Sequence, residues 1–141
     1  MLAALDLATG TITYRIRERK RWQEFLAFLK LLRSRWPGQK LYLVVDNFSP
    51  HKHPKVTGWA ATNNVELVFL PTYSSWLNWI EPEFTALRYF ALNGTDHHTH
   101  AWQSEMIGAC MRWRNARAQP QTNFALNSVI RTWTSYQTGV A

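Results

Sequence analysis

Two acidic residues lie at positions where α/β proteins commonly have catalytic or ligand-binding residues. Asp46 directly follows the apolar run "LYLVV", and Glu81 lies beyond a second apolar run, "VELVFL", in the first turn of a predicted helix. If the two runs are parallel strands, both acids lie toward the same edge of the sheet, which is where ligands bind in open α/β sheets. Carboxylate oxygens that converge there would suit a hard divalent cation such as Mg²⁺.

Each of these acids also has a purely structural interpretation. An Asp-Asn pair after a strand is a common turn, and a glutamate in the first turn of a helix is favoured by the helix dipole. Glu83 is an alternative to Glu81 as the second candidate acid. Residues two positions apart on a helix do not share a face, so the two glutamates are alternatives rather than a pair. Taken singly, neither Asp46 nor Glu81 establishes a metal site.

Hydrophobic periodicity predicts the elements that would position these acids. Residues 1–20 predict a β-hairpin with Gly10 at the positive-φ position of its turn. The apolar run 41–47 predicts a central strand buried on both faces. A strand–helix–strand unit implies a parallel crossover, so we expect a mixed sheet covered by helices. The other predicted elements are an amphipathic helix at 21–36, a short helix at 53–64, a strand at 65–70, a loop at 71–78, a helix from about 79, a break at 93–99 and a helix at about 100–116.

The composition favours a single domain with a polyanionic partner. The chain has 141 residues and a net charge of +7, which suits nucleic acid, although a solvated basic surface would produce the same charge. The single cysteine, Cys110, excludes an internal disulfide and fits a reducing compartment. No apolar run approaches the ~20 residues of a membrane helix, and the N-terminus lacks the pattern of a signal peptide. We therefore expect a cytoplasmic, nucleoid-associated bacterial protein with no membrane partner.

The spacing and the sequence around the two acids resemble a known family. The 34 residues between Asp46 and Glu81 (47–80), together with "VVDNFSPHK" and "VELVFLPTYSSWLNWIEPEF", resemble the catalytic domain of DDE-superfamily transposases. The insertion-sequence branch related to mariner elements is the most similar, and the resemblance covers roughly residues 2–116. It implies an α/β fold of the ribonuclease H-like type, with a mixed sheet flanked by helices, and a D–D–E triad.

The resemblance carries over to individual residues. Asp46 matches the second acid of the triad and Glu81 the third, so both are expected to be catalytic and to bind metal. Asn47 and His51 match the family's "DN…H" positions and are expected to support the metals or the DNA. Asn78 lies in the loop that presents the third acid. The other matching positions of that loop are Pro71, Tyr73, Ser74, Leu77 and Ile80.

The same resemblance indicates that part of the family's domain is missing. The chain begins at what resembles the family's second strand, so the first strand and its aspartate are not present, nor is the N-terminal helix-turn-helix region. Asp6 lies near the hairpin turn and is expected to form that turn rather than to replace the missing acid. We expect a partial catalytic domain at 1–116 and an irregular basic and polar tail at 117–141.

The implied activity is metal-dependent cleavage and strand transfer of DNA, which is the chemistry of transposition. Two Mg²⁺ or Mn²⁺ ions are the implied cofactors, and the DNA of the transposon ends and the target are the implied partners. A homodimer, or pairing with a full-length transposase, is a further expectation. With one acid missing, we expect the chain alone to be weak or inactive. The alternatives are a non-catalytic DNA-binding or transposase-pairing remnant, and a basic α/β domain in which both acids are structural.

Basic residues supply a second line of reasoning about DNA. They could contact phosphates, or they could form a solvated hairpin edge that blocks edge-to-edge pairing, and the sequence leaves both open. The predicted DNA-binding residues are Arg15, Arg17, Arg19, Lys20, Arg21, Lys52, Arg112 and Arg114.

A separate cluster of histidines (97, 98 and 100) does not match the spacing of zinc motifs, so an exposed loop is expected there.

Overall fold

The N-terminal hairpin has the predicted form. The computed structural model describes residues 1–72, 78–92 and 99–121. Strands β1 (Leu2–Leu5) and β2 (Ile12–Arg15) pair antiparallel, and Gly10 in the turn has a φ of +73°, which glycine adopts without steric cost. The Asp6 carboxylate accepts hydrogen bonds from the Ala8 amide (3.0 Å) and the Thr9 hydroxyl (2.7 Å), so it serves the turn.

Two parallel strands form the second sheet. Strand β3 (Leu41–Val45) pairs with β4 (Val65–Phe69) in parallel, with Leu41 opposite Val65 and Val45 opposite Phe69. The chain between them forms a single 3-10 turn (Ser49–Lys52) and helix α2 (Pro54–Thr62). The predicted parallel strand–helix–strand unit is therefore present.

Helix α1 (Trp22–Arg35) forms the first hydrophobic core against the parallel strands. Its buried residues are Phe25, Phe28, Leu29 and Leu32, which recur at the three- and four-residue spacing of one helix face. They pack with Val45 of β3 and Val56 of α2, while Leu2 and Ala4 of β1 contact the same cluster.

The second core lies on the other face of the hairpin. Helix α3 (Glu81–Leu87) continues into a π-helical turn (Arg88–Leu92), and helix α4 (His100–Asn115) follows. This core contains Ile12, Leu87, Ala91, Ile107 and Met111. At its margin it includes Met1 and, from β1, Ala3 and Leu5. Because alternate side chains of β1 enter different cores, the hairpin is covered on both faces. No helix of the described residues is long and apolar enough to cross a membrane.

The structure corrects one expectation about β3. The strand was expected to be central and buried on both faces, but Tyr42 is 64% exposed and Val44 is 48% exposed. Alternation along the strand directs Leu43 and Val45 toward the α1 core and places Tyr42 and Val44 on the open face. Within the described residues β3 pairs only with β4 and β1 only with β2, so the expected mixed sheet is two separate two-stranded sheets.

Some sequence predictions lie outside the described residues. They concern the middle of the 71–78 loop (73–77), most of the break after the π-helical turn (93–98) and the tail from residue 122. The observed bounds of the helices otherwise differ from the predicted ones by only a few residues.

Candidate functional site

Two hydrogen bonds hold the carboxyl ends of the parallel strands together. The side-chain amide of Asn47 donates to the carbonyl oxygen of Leu70 at 2.6 Å, and the Leu70 amide donates to the carbonyl oxygen of Val45 at 2.9 Å. The loops that follow β3 and β4 therefore begin at the same edge of the sheet, as the parallel arrangement predicts. Asn47 acts here as the link between the two strand ends.

Asp46 occupies this edge, and His51 orients its carboxylate. Oδ1 of Asp46 lies 2.9 Å from Nδ1 of His51 and accepts a hydrogen bond from the Phe48 amide at 3.2 Å. A carboxylate oxygen can only accept, so the proton of the contact with His51 is carried by Nδ1. The Asp46 side chain is 52% exposed, which leaves it accessible to a further ligand.

Aromatic rings hold His51 in place. Its ring centroid lies 4.1 Å from that of Phe25, a core residue of α1, and Phe48 meets it edge-on at 5.5 Å. The His51 side chain is only 13% exposed, unlike that of Asp46. The packed histidine can therefore restrict the rotamers of the exposed carboxylate, which is the usual task of a residue behind a metal ligand.

Glu81 and Glu83 have different surroundings. Glu81 is exposed at the first position of α3, and its amide donates to the carbonyl oxygen of Asn78 at 3.0 Å. Glu83 forms a two-point ion pair with Arg114 of α4, with one of the two contacts, from Nε, at 2.9 Å. The structure thus engages Glu83 in joining two helices, whereas Glu81 presents its carboxylate to solvent.

Hydrogen bonds between α4 and the hairpin were not predicted from the sequence. Arg114 also donates to the carbonyl oxygen of Gly10, and the Asn115 side chain exchanges two 2.8 Å hydrogen bonds with the backbone of Ile12. These contacts join residues more than a hundred positions apart, and no local pattern in the sequence signals them. Arg114, a predicted DNA-binding residue, is therefore half-buried and paired.

A large cavity adjoins the site. It has a volume of about 2070 Å³ and lies between β1, β3, α1 and the α3–α4 pair. Asp46, His51 and Asn78 line it, whereas Glu81 lies outside its lining. The structure thus brings Asp46 and Asn78 to one cavity, with Glu81 three residues beyond Asn78.

The described residues do not by themselves form a complete metal centre. They contain no group of three or more His, Cys, Asp or Glu side chains that could hold a metal ion. Asp46 and Glu81 have the oxygen ligands that Mg²⁺ or Mn²⁺ prefers, but a hard cation needs further ligands to replace its water. His97 and His98 lie outside the described residues, and His100 is exposed at the start of α4.

Most of the predicted DNA-binding residues are exposed. Arg21 forms an ion pair with Glu24 at 2.6 Å, and this hydrogen bond raises the pKa of Arg21 and holds the pKa of Glu24 at about 2. The Lys52 ammonium lies 5.7 Å from the centre of the Phe69 ring. The remaining exposed cations among those predicted are Arg15, Arg17, Arg19, Lys20 and Arg112.

The family of the chain follows from comparison with known proteins. A family model described as DDE superfamily endonuclease matches residues 1–101, which include both sheets, Asp46 and Glu81. No match was found among curated proteins. The α/β arrangement of small sheets and covering helices is consistent with that family. The match covers well over half of the sequence, and the chain therefore belongs to the DDE superfamily endonucleases.

Proposed function

We propose that this chain supplies two of the three acids of a DNA transposase active site, in the insertion-sequence branch related to mariner elements. The observation that carries the proposal is Asp46, whose exposed carboxylate stands at the carboxyl end of a parallel strand and is oriented by a packed histidine, within the segment that matches the endonuclease family. The ribonuclease H-like form of the fold belongs to the same proposal.

Each site residue has a distinct proposed role. Asp46 and Glu81 are the chain's proposed ligands for Mg²⁺ or Mn²⁺, because both residues are exposed and carry the carboxylate oxygens that these cations prefer. His51 positions Asp46, and Asn47 joins the ends of β3 and β4. The backbone carbonyl of Asn78 accepts a hydrogen bond from the Glu81 amide, at the start of the helix that carries Glu81. The third acid comes from outside the described residues, since these contain no cluster of three potential ligands.

DNA is the proposed substrate and partner. The net charge of +7 and the exposed cations at the end of β2 and just after it favour phosphate contacts, each of which would release counterions. Arg21 and Arg114 are already paired with glutamates, so they contribute less to this surface than Arg15, Arg17, Arg19 and Lys20. A homodimer, or a complex with a complete transposase, would bring two such surfaces to the DNA.

Nicking of supercoiled plasmid in Mg²⁺ or Mn²⁺ tests the proposal. The chain alone should cut weakly or not at all, and addition of an upstream transposase segment that contains an aspartate should produce cutting. That cutting should be lost in Asp46→Ala and in Glu81→Ala, and kept in Glu105→Ala, a control at an exposed acid of α4. Cutting that survives both site substitutions would refute the proposal.

A second candidate function is a remnant that binds DNA or pairs with a transposase without cutting. The lack of a three-ligand cluster within the described residues favours it, together with the basic charge. Salt-sensitive DNA binding without metal-dependent cutting, even after addition of the upstream segment, would support this second function over the first.

A further inference from the structure

Helix α4 has an apolar face on the side opposite its buried residues. We define the α4 stripe by four exposed residues of this helix: Trp102, Met106, Ala109 and Trp113. We infer that the α4 stripe is the interface of a homodimer, in which α4 of a second copy packs antiparallel against it. The inference rests on the proposed function only in that a homodimer is part of it. No residue of the α4 stripe lines the cavity beside Asp46, so a partner here leaves that site open.

The spacing of the stripe is that of a helix which packs against another helix. Its successive residues are four, three and four positions apart, as at the a and d positions of a coiled coil. At 3.6 residues per turn they lie within an arc of about 60°. Trp102 and Trp113 are 51% and 61% exposed. Single exposed apolar residues are common, but two tryptophans along one line of a helix are typical of an interaction surface.

The stripe matches itself when the second copy is turned end to end. With a two-fold axis between residues 107 and 108, Trp102 lies opposite Trp113 of the second copy. Met106 then lies opposite Ala109 of the second copy, so a large side chain meets a small one and the helix axes can approach to about 8 Å. A two-fold interface requires one surface to be complementary to itself, and the α4 stripe meets this requirement.

Charges beside the stripe favour a second copy and select the antiparallel orientation. Glu105 and Arg112 are exposed, and their positions place them on the same flank of the stripe. End-to-end packing brings the same flank of both copies together, so Glu105 of each copy lies within about 3 Å, measured along the axis, of Arg112 of the other. Parallel packing would instead place Arg112 opposite Arg117 of the second copy, which is repulsive.

Both charges are available for contacts between copies. Among the residues that the structure describes, neither Glu105 nor Arg112 forms an ion pair. The Arg112 guanidinium lies beside Gly108, one turn earlier on α4, and a change of its side-chain rotamer would turn it toward the second copy.

The size of the stripe sets the expected affinity. A tryptophan offers ~150–250 Å² of surface, so each of the two half-exposed ones would bury roughly 100 Å². Two stripes therefore bury much less than the ~1,600 Å² of a standard interface. We expect a weak dimer, with a dissociation constant of about 10–100 μM.

Sedimentation equilibrium of the full chain at increasing concentration tests for this dimer. Trp113→Lys should raise the dissociation constant by at least about tenfold, because it places a charge within the interface. Tyr42→Lys makes the same kind of change at a residue of β3 with similar exposure, and it should leave the dissociation constant unchanged. Both residues are exposed, so neither substitution should disturb the fold.

A charge exchange tests the orientation and the identity of the partner. Glu105→Arg and Arg112→Glu should each weaken self-association by about tenfold or more, because each variant alone brings like charges together at two places. An equal mixture of the two variants should form a heterodimer with about the affinity of the parent chain, because both contacts then join opposite charges. Glu105→Ala, the control of the plasmid assay, creates no repulsion and should weaken the dimer by only about threefold.

Three outcomes would overturn the inference. The first is a chain that stays monomeric up to about 1 mM, far above the expected dissociation constant. The second is a dimer that Tyr42→Lys dissociates and Trp113→Lys does not, which would place the interface on β3. The third is a mixture of the two charge variants that associates no better than either variant alone. These measurements need no metal and no DNA, so the dimer can be found or refuted whatever the plasmid assay shows.

Discussion

The different surroundings of Glu81 and Glu83 lead to a sharp prediction about stability. Glu83→Gln removes the charge that Arg114 faces, while the guanidinium stays half-buried between α3, α4 and the hairpin turn. Glu81→Gln makes the same chemical change two positions earlier, at an exposed site. The two variants form a matched pair in which only the tertiary contact differs.

The expected cost follows from the exposure of the pair. Removing one partner of a buried ion pair costs ~3–5 kcal/mol, and an exposed pair contributes ~0–1 kcal/mol. The side chains of Arg114 and Glu83 are 16% and 25% exposed, so the cost lies between these limits. We expect Glu83→Gln to lower the free energy of unfolding by about 2 kcal/mol. Glu81→Gln should lose only its interaction with the helix dipole, about 0.5 kcal/mol.

Urea denaturation of both variants and of the parent chain measures these costs. A double-mutant cycle with Arg114→Met isolates the pairwise contribution, which should account for most of the Glu83→Gln cost. For a chain of this size, about 2 kcal/mol corresponds to a fall in melting temperature of roughly 6–10 °C. Equal costs for the two variants, or a coupling energy near zero, would refute the assignment of Glu83 to a structural ion pair with Arg114.

Three further predictions concern the turn, the helix start and DNA. Gly10→Ala should lower the free energy of unfolding by about 2 kcal/mol in urea denaturation, because φ at this position is +73° and the added Cβ would meet the backbone after α4. The control is Gly58→Ala in α2, where the space around the added Cβ is open, and this substitution should be neutral or stabilising. Arg21 lowers the pKa of Glu24 from 4.5 to about 2, so the stabilising effect of this carboxylate is full above about pH 4.5 and is lost as the pH falls toward 2. Over that pH range the Glu24→Gln variant should lose less stability than the parent chain. An equal loss in both would contradict the pairing. Arg19→Gln should reduce the slope of log affinity for DNA against log salt by about 1, and an unchanged slope would mean that Arg19 contacts no phosphate.

Local patterns in the sequence were sufficient for the secondary structure. The α1 helix follows from its three- and four-residue apolar spacing, and the hairpin follows from alternation around Gly10. The parallel pairing of β3 and β4 follows from the helix between them. Asp46 at the end of β3 could be placed in the same way, because its position depends only on where the strand stops.

Tertiary structure alone decided which side chains are engaged and which surfaces are open. The apolar run of β3 predicts burial but carries no information about which neighbours are present, so the exposure of Tyr42 and Val44 could not be foreseen. The sequence left Glu81 and Glu83 as rivals, because their difference is made by Arg114, which lies 31 positions beyond Glu83. Contacts of this kind depend on how helices and sheets pack, and packing is a property of the whole fold rather than of any local stretch.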